Sequence, residues 1–286
     1  MSSNDRVRAV SRRLRDLVEP LAANVYFAPE AHDAYKALGL SYLPGYFCSR
    51  GACMGQVPGE VVTAAFAVFN PDIVIPAVTE GWSKTDASSI LKAREHGATA
   101  SLTRILGDAP AGLARAGELL RRAADSATGE GRPIFSGLRS LGWPGDRFGD
   151  FWRAADLVRE HRGDSHTAAW VSHGVDPVEI TLLTELWWKL PLNSYVATRG
   201  WRSDQIEAGI ERLRSRGFVD VDGAGFTDAG VELRASIEEA TDRGEQRVVD
   251  ALGDDADELL ALLEPWAKAV VDSGGYPSDP SKLTRR

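Results

Sequence analysis

The chain has 286 residues, 43% of them hydrophobic and 26% charged, with a formal net charge of −8. This balance fits two globular domains or one large one and excludes a disordered chain. It also excludes a surface built wholly for nucleic acid, while leaving room for one local basic face.

From the N-terminus, Met1 to Asp16 is polar and Arg-rich and lacks an apolar h-region. No run of about 18 apolar residues follows anywhere, so neither a signal peptide nor a membrane span is expected, and no membrane partner. Val7, Val10, Leu14, Leu17, Val18 and Leu21 recur at helical spacing and predict an amphipathic helix over 5–23, with Pro20 kinking or shortening it. A turn over 26–30 leads to a helix from Glu30 to Leu38, stopped by Gly39. Tyr42 to Gly59 reads as a compact helix-and-turn segment holding both cysteines, Cys48 and Cys53. Two cysteines without nearby Cys or His partners make neither a disulfide framework nor a zinc site, and buried thiols in a reducing cytoplasm are expected.

Helices are predicted from Glu60 to Phe69, from Pro71 to Trp82, from an Asp86 cap to Leu106, and from Pro110 to Ala127. A Gly/Pro-broken loop over 128–133 and an irregular stretch, Phe135 to Asp150, mark the candidate domain boundary. Beyond it the pattern is helical again, interrupted near its middle by Gly163 and ended by Gly174. Pro177 to Lys189 is a hydrophobic helix. Ser203 caps a helix over 204–216 with Ile206, Ile210 and Leu213 on one stripe and Gly217 at its end. Phe218 to Val221, a turn over 222–225 and Phe226-Thr227 suggest one small β-hairpin. Helices from Thr227 to Ala240 and Ala256 to Asp272 precede a Gly/Pro/Ser tail. The fold class is therefore mainly α: a multi-helical N-terminal part over 1–150, a second helical part holding the hairpin over 151–245, and a C-terminal helix and tail over 246–286.

The segment from Ser203 to Leu233 resembles the winged helix-turn-helix of MarR-type regulators. The matching parts are Arg212-Leu-Arg-Ser-Arg-Gly-Phe-Val219, a short hairpin, and Phe226-Thr-Asp-Ala-Gly230 opening the next helix. The resemblance implies transcription regulation as a dimer on double-stranded DNA, with Arg202, Arg212, Arg214 and Arg216 as DNA-binding candidates. Against that implication, residues 201–246 hold six Arg and no Lys but eleven Asp and Glu, and the expected wing carries no base. The whole chain is also similar to an actinobacterial helix-turn-helix family of about this length. Leu17-Val-Glu-Pro20, Tyr26-Phe-Ala-Pro-Glu30, Gly45-Tyr-Phe47 with Arg50, Phe69-Asn-Pro71 and Arg159-Glu-His-Arg-Gly-Asp164 with His166 carry that likeness. It implies architecture and little chemistry.

Arg159 to His166 packs two His, two Arg, a Glu, an Asp and a Ser into eight residues. On a continuous helix His161 and His166 lie about 140° apart and cannot share a metal, unless Gly163 breaks the helix. No zinc spacing such as His-Glu-x-x-His is present, and Ser165 lacks a nucleophile-elbow context. Two readings stay open. Glu160, Arg162 and Asp164 form a charged seam between the two halves. Alternatively, His161, Arg162, Asp164 and His166 face a ligand pocket walled by Tyr26, Phe27, Tyr46, Phe47 and Phe69. No cofactor, metal or catalytic residue is assigned, and the chain reads more as a binder than as an enzyme. A ligand-responsive regulator and a small-molecule sequestering protein that does not bind DNA are the two functional expectations.

Overall fold

The computed structural model describes residues 3–222 and 224–278. Among the described residues fourteen α-helices occur in chain order: α1 (Ser3–Ala23), α2 (Pro29–Ala37), α3 (Tyr42–Gly51), α4 (Gly59–Phe66), α5 (Pro71–Trp82), α6 (Ala87–Leu106), α7 (Leu113–Ser126), α8 (Pro133–Ser140), α9 (Arg147–Ser172), α10 (Pro177–Trp187), α11 (Ser203–Ser215), α12 (Asp228–Gly244), α13 (Gln246–Leu252) and α14 (Ala256–Asp272). Most boundaries fall where local chemistry puts them. Asn70, Asp86 and Thr227 accept N–H groups of the first turns of α5, α6 and α12, and Asp176 closes a capping box on α10 with Glu179. Gly39, Gly174 and Gly217 end their helices in the left-handed region that favours glycine.

Three expectations change. The stretch 135–150 is not irregular throughout: α8 occupies its start and α9 begins at Arg147, so the expected boundary at 150 falls inside the first turn of α9. Gly163 does not interrupt α9, which runs unbroken for 26 residues because its other faces are packed over most of their length. One mid-helix glycine costs only about 1 kcal/mol, which such packing overrides. Third, among the described residues the expected β-hairpin is a single antiparallel bridge, Val219 to Phe226. The chain has only nine residues there between Gly217 and Thr227. Thr227 already caps α12, and Asp220 turns its side chain onto Ala224 N–H. Backbone pairing is confined to the flanks of this bridge, Asp220 N–H to the Gly225 carbonyl (3.0 Å) and Thr227 N–H to the Phe218 carbonyl (3.2 Å). Gly223, in the expected turn, lies outside the described residues, as do residues 279–286 of the expected tail.

Two apolar cores lie along α9. The larger gathers α1 to α8, the first half of α9 and, returning from the far end of the chain, Val248, Val249, Leu252, Leu259, Leu263, Trp266 and Val270 of α13 and α14. The smaller joins Ala169 and Trp170 at the end of α9 to α10, α11, Val219 and Ile237 of α12. The long helix buries polar residues as well as apolar ones, so each must find a partner. Those partners come from α1, α3, α6, α8 and α12 and from Glu245 just beyond α12, and the space they leave between the cores is the candidate site.

Candidate functional site

Between the two cores lies a cavity of about 740 Å³. This is the size range of small-molecule sites. One wall is charged and comes from α9. Glu160, almost fully buried, accepts Nε and Nη2 of Arg50 at 2.8 and 2.7 Å and Nη1 of Arg159 at 2.6 Å. Arg159 also donates to both oxygens of Glu19, at 2.8 and 3.1 Å. Burial pushes the Glu160 carboxyl up, but Arg50 and Arg159 outweigh it and hold the group down at about 2. Behind this wall Arg94 grips Asp156 through two bonds of 2.7 and 3.2 Å and donates to the Tyr26 hydroxyl at 2.9 Å.

A second charged group ties α9 to α1 and α12. Asp242 accepts from Arg12 (2.8 Å) and Ser11 (3.1 Å) and forms an ion pair with Arg162 (3.0 Å), while Glu238 pairs with Arg234. Burial raises the Glu238 carboxyl, but Arg234, His166 and Arg162 bring it down to about 2. His166 lies 3.1 Å from the Thr241 hydroxyl, and burial, then Arg234, lowers it to about 4, so it is neutral at pH 7.

Of the expected site residues, Arg162, His166, Tyr26, Phe27, Tyr46 and Phe69 all line the cavity. His161 and Asp164 do not. His161 Nδ1 sits 2.9 Å from the Glu245 carboxylate in a buried contact against Phe135. Asp164 Oδ2 accepts the N–H groups of Ile134 and Phe135 at 3.1 and 3.0 Å, holding the first turn of α8. Burial nonetheless raises Asp164 to about 7, against those two bonds. Ser165 gives its hydroxyl to the His161 carbonyl or to Glu245, not to an imidazole nitrogen, so the arrangement lacks the nucleophile–base contact of a hydrolytic triad. Among the described residues no group of three His, Cys, Asp or Glu is placed to hold a metal ion. The polar segment is thus a seam and a cavity wall at once, on two faces of one helix.

The wall opposite the apolar body is a surprise of connectivity. Trp188, Tyr195, Thr198 and Arg199 of the α10–α11 connection all face the cavity. Glu185, buried at the end of α10, accepts the N–H groups of Asn193, Tyr195 and Val196 and shapes this connection. Asn70 then clamps its end: its N–H donates to the Arg199 carbonyl (2.8 Å) and its side chain to the Gly200 carbonyl (2.9 Å) and Gln205 (3.0 Å). Trp201 donates to the Val68 carbonyl at 2.9 Å. Gly200 is required here, since φ is +79° and a Cβ would lie 2.4 Å from Ile73. Sequence reasoning passed over this wall because Thr198-Arg-Gly-Trp201 carries no motif. Arg50 and the late Tyr276 are likewise brought in only by the tertiary fold.

A helix-turn-helix family model matches residues 11–277, nearly the whole chain. The chain belongs to this helix-turn-helix family. No curated protein and no solved structure matches it. Within this family member, α11 presents Asp204, Glu207 and Glu211 along one exposed stripe. The four arginines expected to meet DNA are all paired with acids. Arg202 pairs with Asp72 and Asp204, Arg212 with Asp176 and Glu179, Arg214 with Glu211, and Arg216 with Glu179. Among the described residues no helix is long and apolar enough to cross a membrane.

Proposed function

We propose that this helix-turn-helix protein binds a small organic molecule in the cavity and that its helix-turn-helix half senses occupancy. The observation that carries this reading is that the α10–α11 connection is itself a cavity wall. A ligand touching Trp188, Tyr195 or Arg199 acts within a few residues of α11, so binding and the setting of that helix are linked. Gly163 supports the same reading. It sits in the cavity wall in mid-helix, and a Cβ there would meet only Glu160, at 3.5 Å. Packing does not demand the glycine, whereas space for a guest accounts for it.

In the first form of the proposal, residues 151–245 act as a MarR-like winged-helix domain, and the protein is a cytoplasmic homodimeric regulator on double-stranded DNA. Its half-sites would lie about 34 Å apart. Family membership favours this form, with Arg212, Arg214 and Arg216 at the end of α11 as the contacts. The acidic stripe Asp204–Glu207–Glu211 favours the second form, a ligand-sequestering protein that has no DNA partner, because duplex affinity rests largely on phosphate neutralisation.

Small molecules released from the purified protein by denaturation and read by mass spectrometry test the common part. Gly163→Leu, which pushes a branched side chain from the α9 wall into the cavity, is expected to weaken retention of the molecule while keeping a cooperative melt. Equal retention in that variant would overturn the cavity as the site. Fluorescence anisotropy with random genomic duplexes at low and moderate salt separates the two forms. Salt-sensitive binding that Arg212→Ala weakens supports the regulator, and its absence supports sequestration.

A further inference from the structure

The carboxylates facing the cavity are already satisfied from within the protein. Glu160 is held by Arg50 and Arg159, Glu19 by Arg159, and Glu238 by Arg234 and Arg162. The Glu245 oxygens go to His161 and Ser165. Among the described residues lining the cavity, one cation is left over. Among the described residues no carboxylate lies within ion-pair distance of Arg199. Its guanidinium instead sits over two aromatic faces, 4.3 Å from the Tyr195 ring centre and 4.8 Å from that of Phe69. Its Nε is enclosed and makes no hydrogen bond. Arginine stays protonated throughout the physiological range, so this charge is permanent. Aromatic faces offset part of its desolvation but cannot accept its N–H groups in the plane of the fork.

We propose that Arg199 is the anion anchor of the cavity and that its ligand is a flat aromatic carboxylate. The inference rests on the cavity being a ligand site. One surplus charge suits a monoanion, and a planar carboxylate matches the guanidinium fork through two parallel bonds. Tyr26, Tyr46, Phe69 and Tyr195 give the anion's ring faces to lie against. Thr181, Thr184 and Thr198 add neutral hydroxyls along the same walls without adding charge. A dianion would find no second free cation among the described lining residues, because Arg50 and Arg159 are committed to Glu160 and Glu19.

Titration calorimetry of the full chain with 1-naphthoate and its neutral isostere 1-naphthamide tests the assignment. The wild type is expected to bind naphthoate about tenfold or more tightly than the amide, the scale of one charge-assisted contact. Arg199→Gln should bring the two affinities together by weakening naphthoate alone, and Arg199→Lys should keep part of the preference. A preference that survives Arg199→Gln overturns the anchor. So does a wild type that binds the amide as well as the acid, and in that case the cavity reading still stands. A wild type that binds neither probe overturns the anchor and the cavity reading together.

Discussion

Arginine serves this molecule in two places, and the contrast shows what burial does to a charge. Around the cavity, Arg50, Arg94 and Arg159 are held by carboxylates that expose 1% or less of their side chains. On α11, Arg202 and Arg212 make ion pairs of similar length while 57% and 45% exposed. Exposed pairs contribute about 0–1 kcal/mol, since water and salt screen them. Buried partners cannot be removed singly without stranding a charge in a low-dielectric interior. The first set therefore fixes the architecture of the cavity, and the second leaves α11 free to meet something else.

The sharpest way to break this comparison is Glu160→Ala, which strands Arg50 and part of Arg159. Urea denaturation should show a loss of about 3–5 kcal/mol. A loss under about 1 kcal/mol would place the cavity pairs in the same class as those of α11.

Next in size is the pH dependence of the seam. Asp164 is raised to about 7 in the fold, so its contribution is full below the unfolded value of about 4 and is lost as pH rises through 7. His166 is lowered to about 4, so the unfolded chain takes up its proton first and stability rises with pH between about 4 and 6.5. In that window the two slopes oppose each other. The wild type should be nearly flat there as far as these groups are concerned. Asp164→Asn should leave a rise and His166→Gln a fall, each on the order of 2–3 kcal/mol at most across the window. Denaturation midpoints at pH 4.5, 5.5 and 6.5 for the three proteins check this, and parallel profiles would refute it.

Much of the fold was legible because it is written locally. Pro71 to Trp82 and Ala256 to Asp272 fall where periodicity and caps put them, and Asp86, Thr227, Gly39 and Gly217 act as read. Missed features depend on distant partners. Gly163 reads as a break because its propensity is poor, yet packing against α1, α6, α7, α8 and α12 holds α9 straight. His161, Arg162, Asp164 and His166 looked like one cluster in sequence. Helical geometry sends His161 to Glu245 and Asp164 to α8, and leaves Arg162 and His166 at the cavity. Arg199 carried no signal, since its isolation from carboxylates exists only in three dimensions.

Smaller effects sharpen the same contrast. Gly163→Ala should stabilise the protein by about 0.5–1 kcal/mol, because α9 is regular there and the new methyl group meets only the Glu160 side chain, at an ordinary contact distance of 3.5 Å. A destabilisation would mean that the wall is tighter than the geometry shows. Arg212→Ala and Arg214→Ala should each change the denaturation free energy by no more than about 0.5 kcal/mol.

On the proposed reading, the cavity and the α10–α11 connection form one responsive unit. Amide hydrogen exchange of the full chain, with and without saturating 1-naphthoate, tests it most directly. The expected result is slower exchange across 188–202 and the first turn of α11 when the probe is bound. Bound probe with unchanged exchange in that segment, or no bound probe at all, would contradict the account.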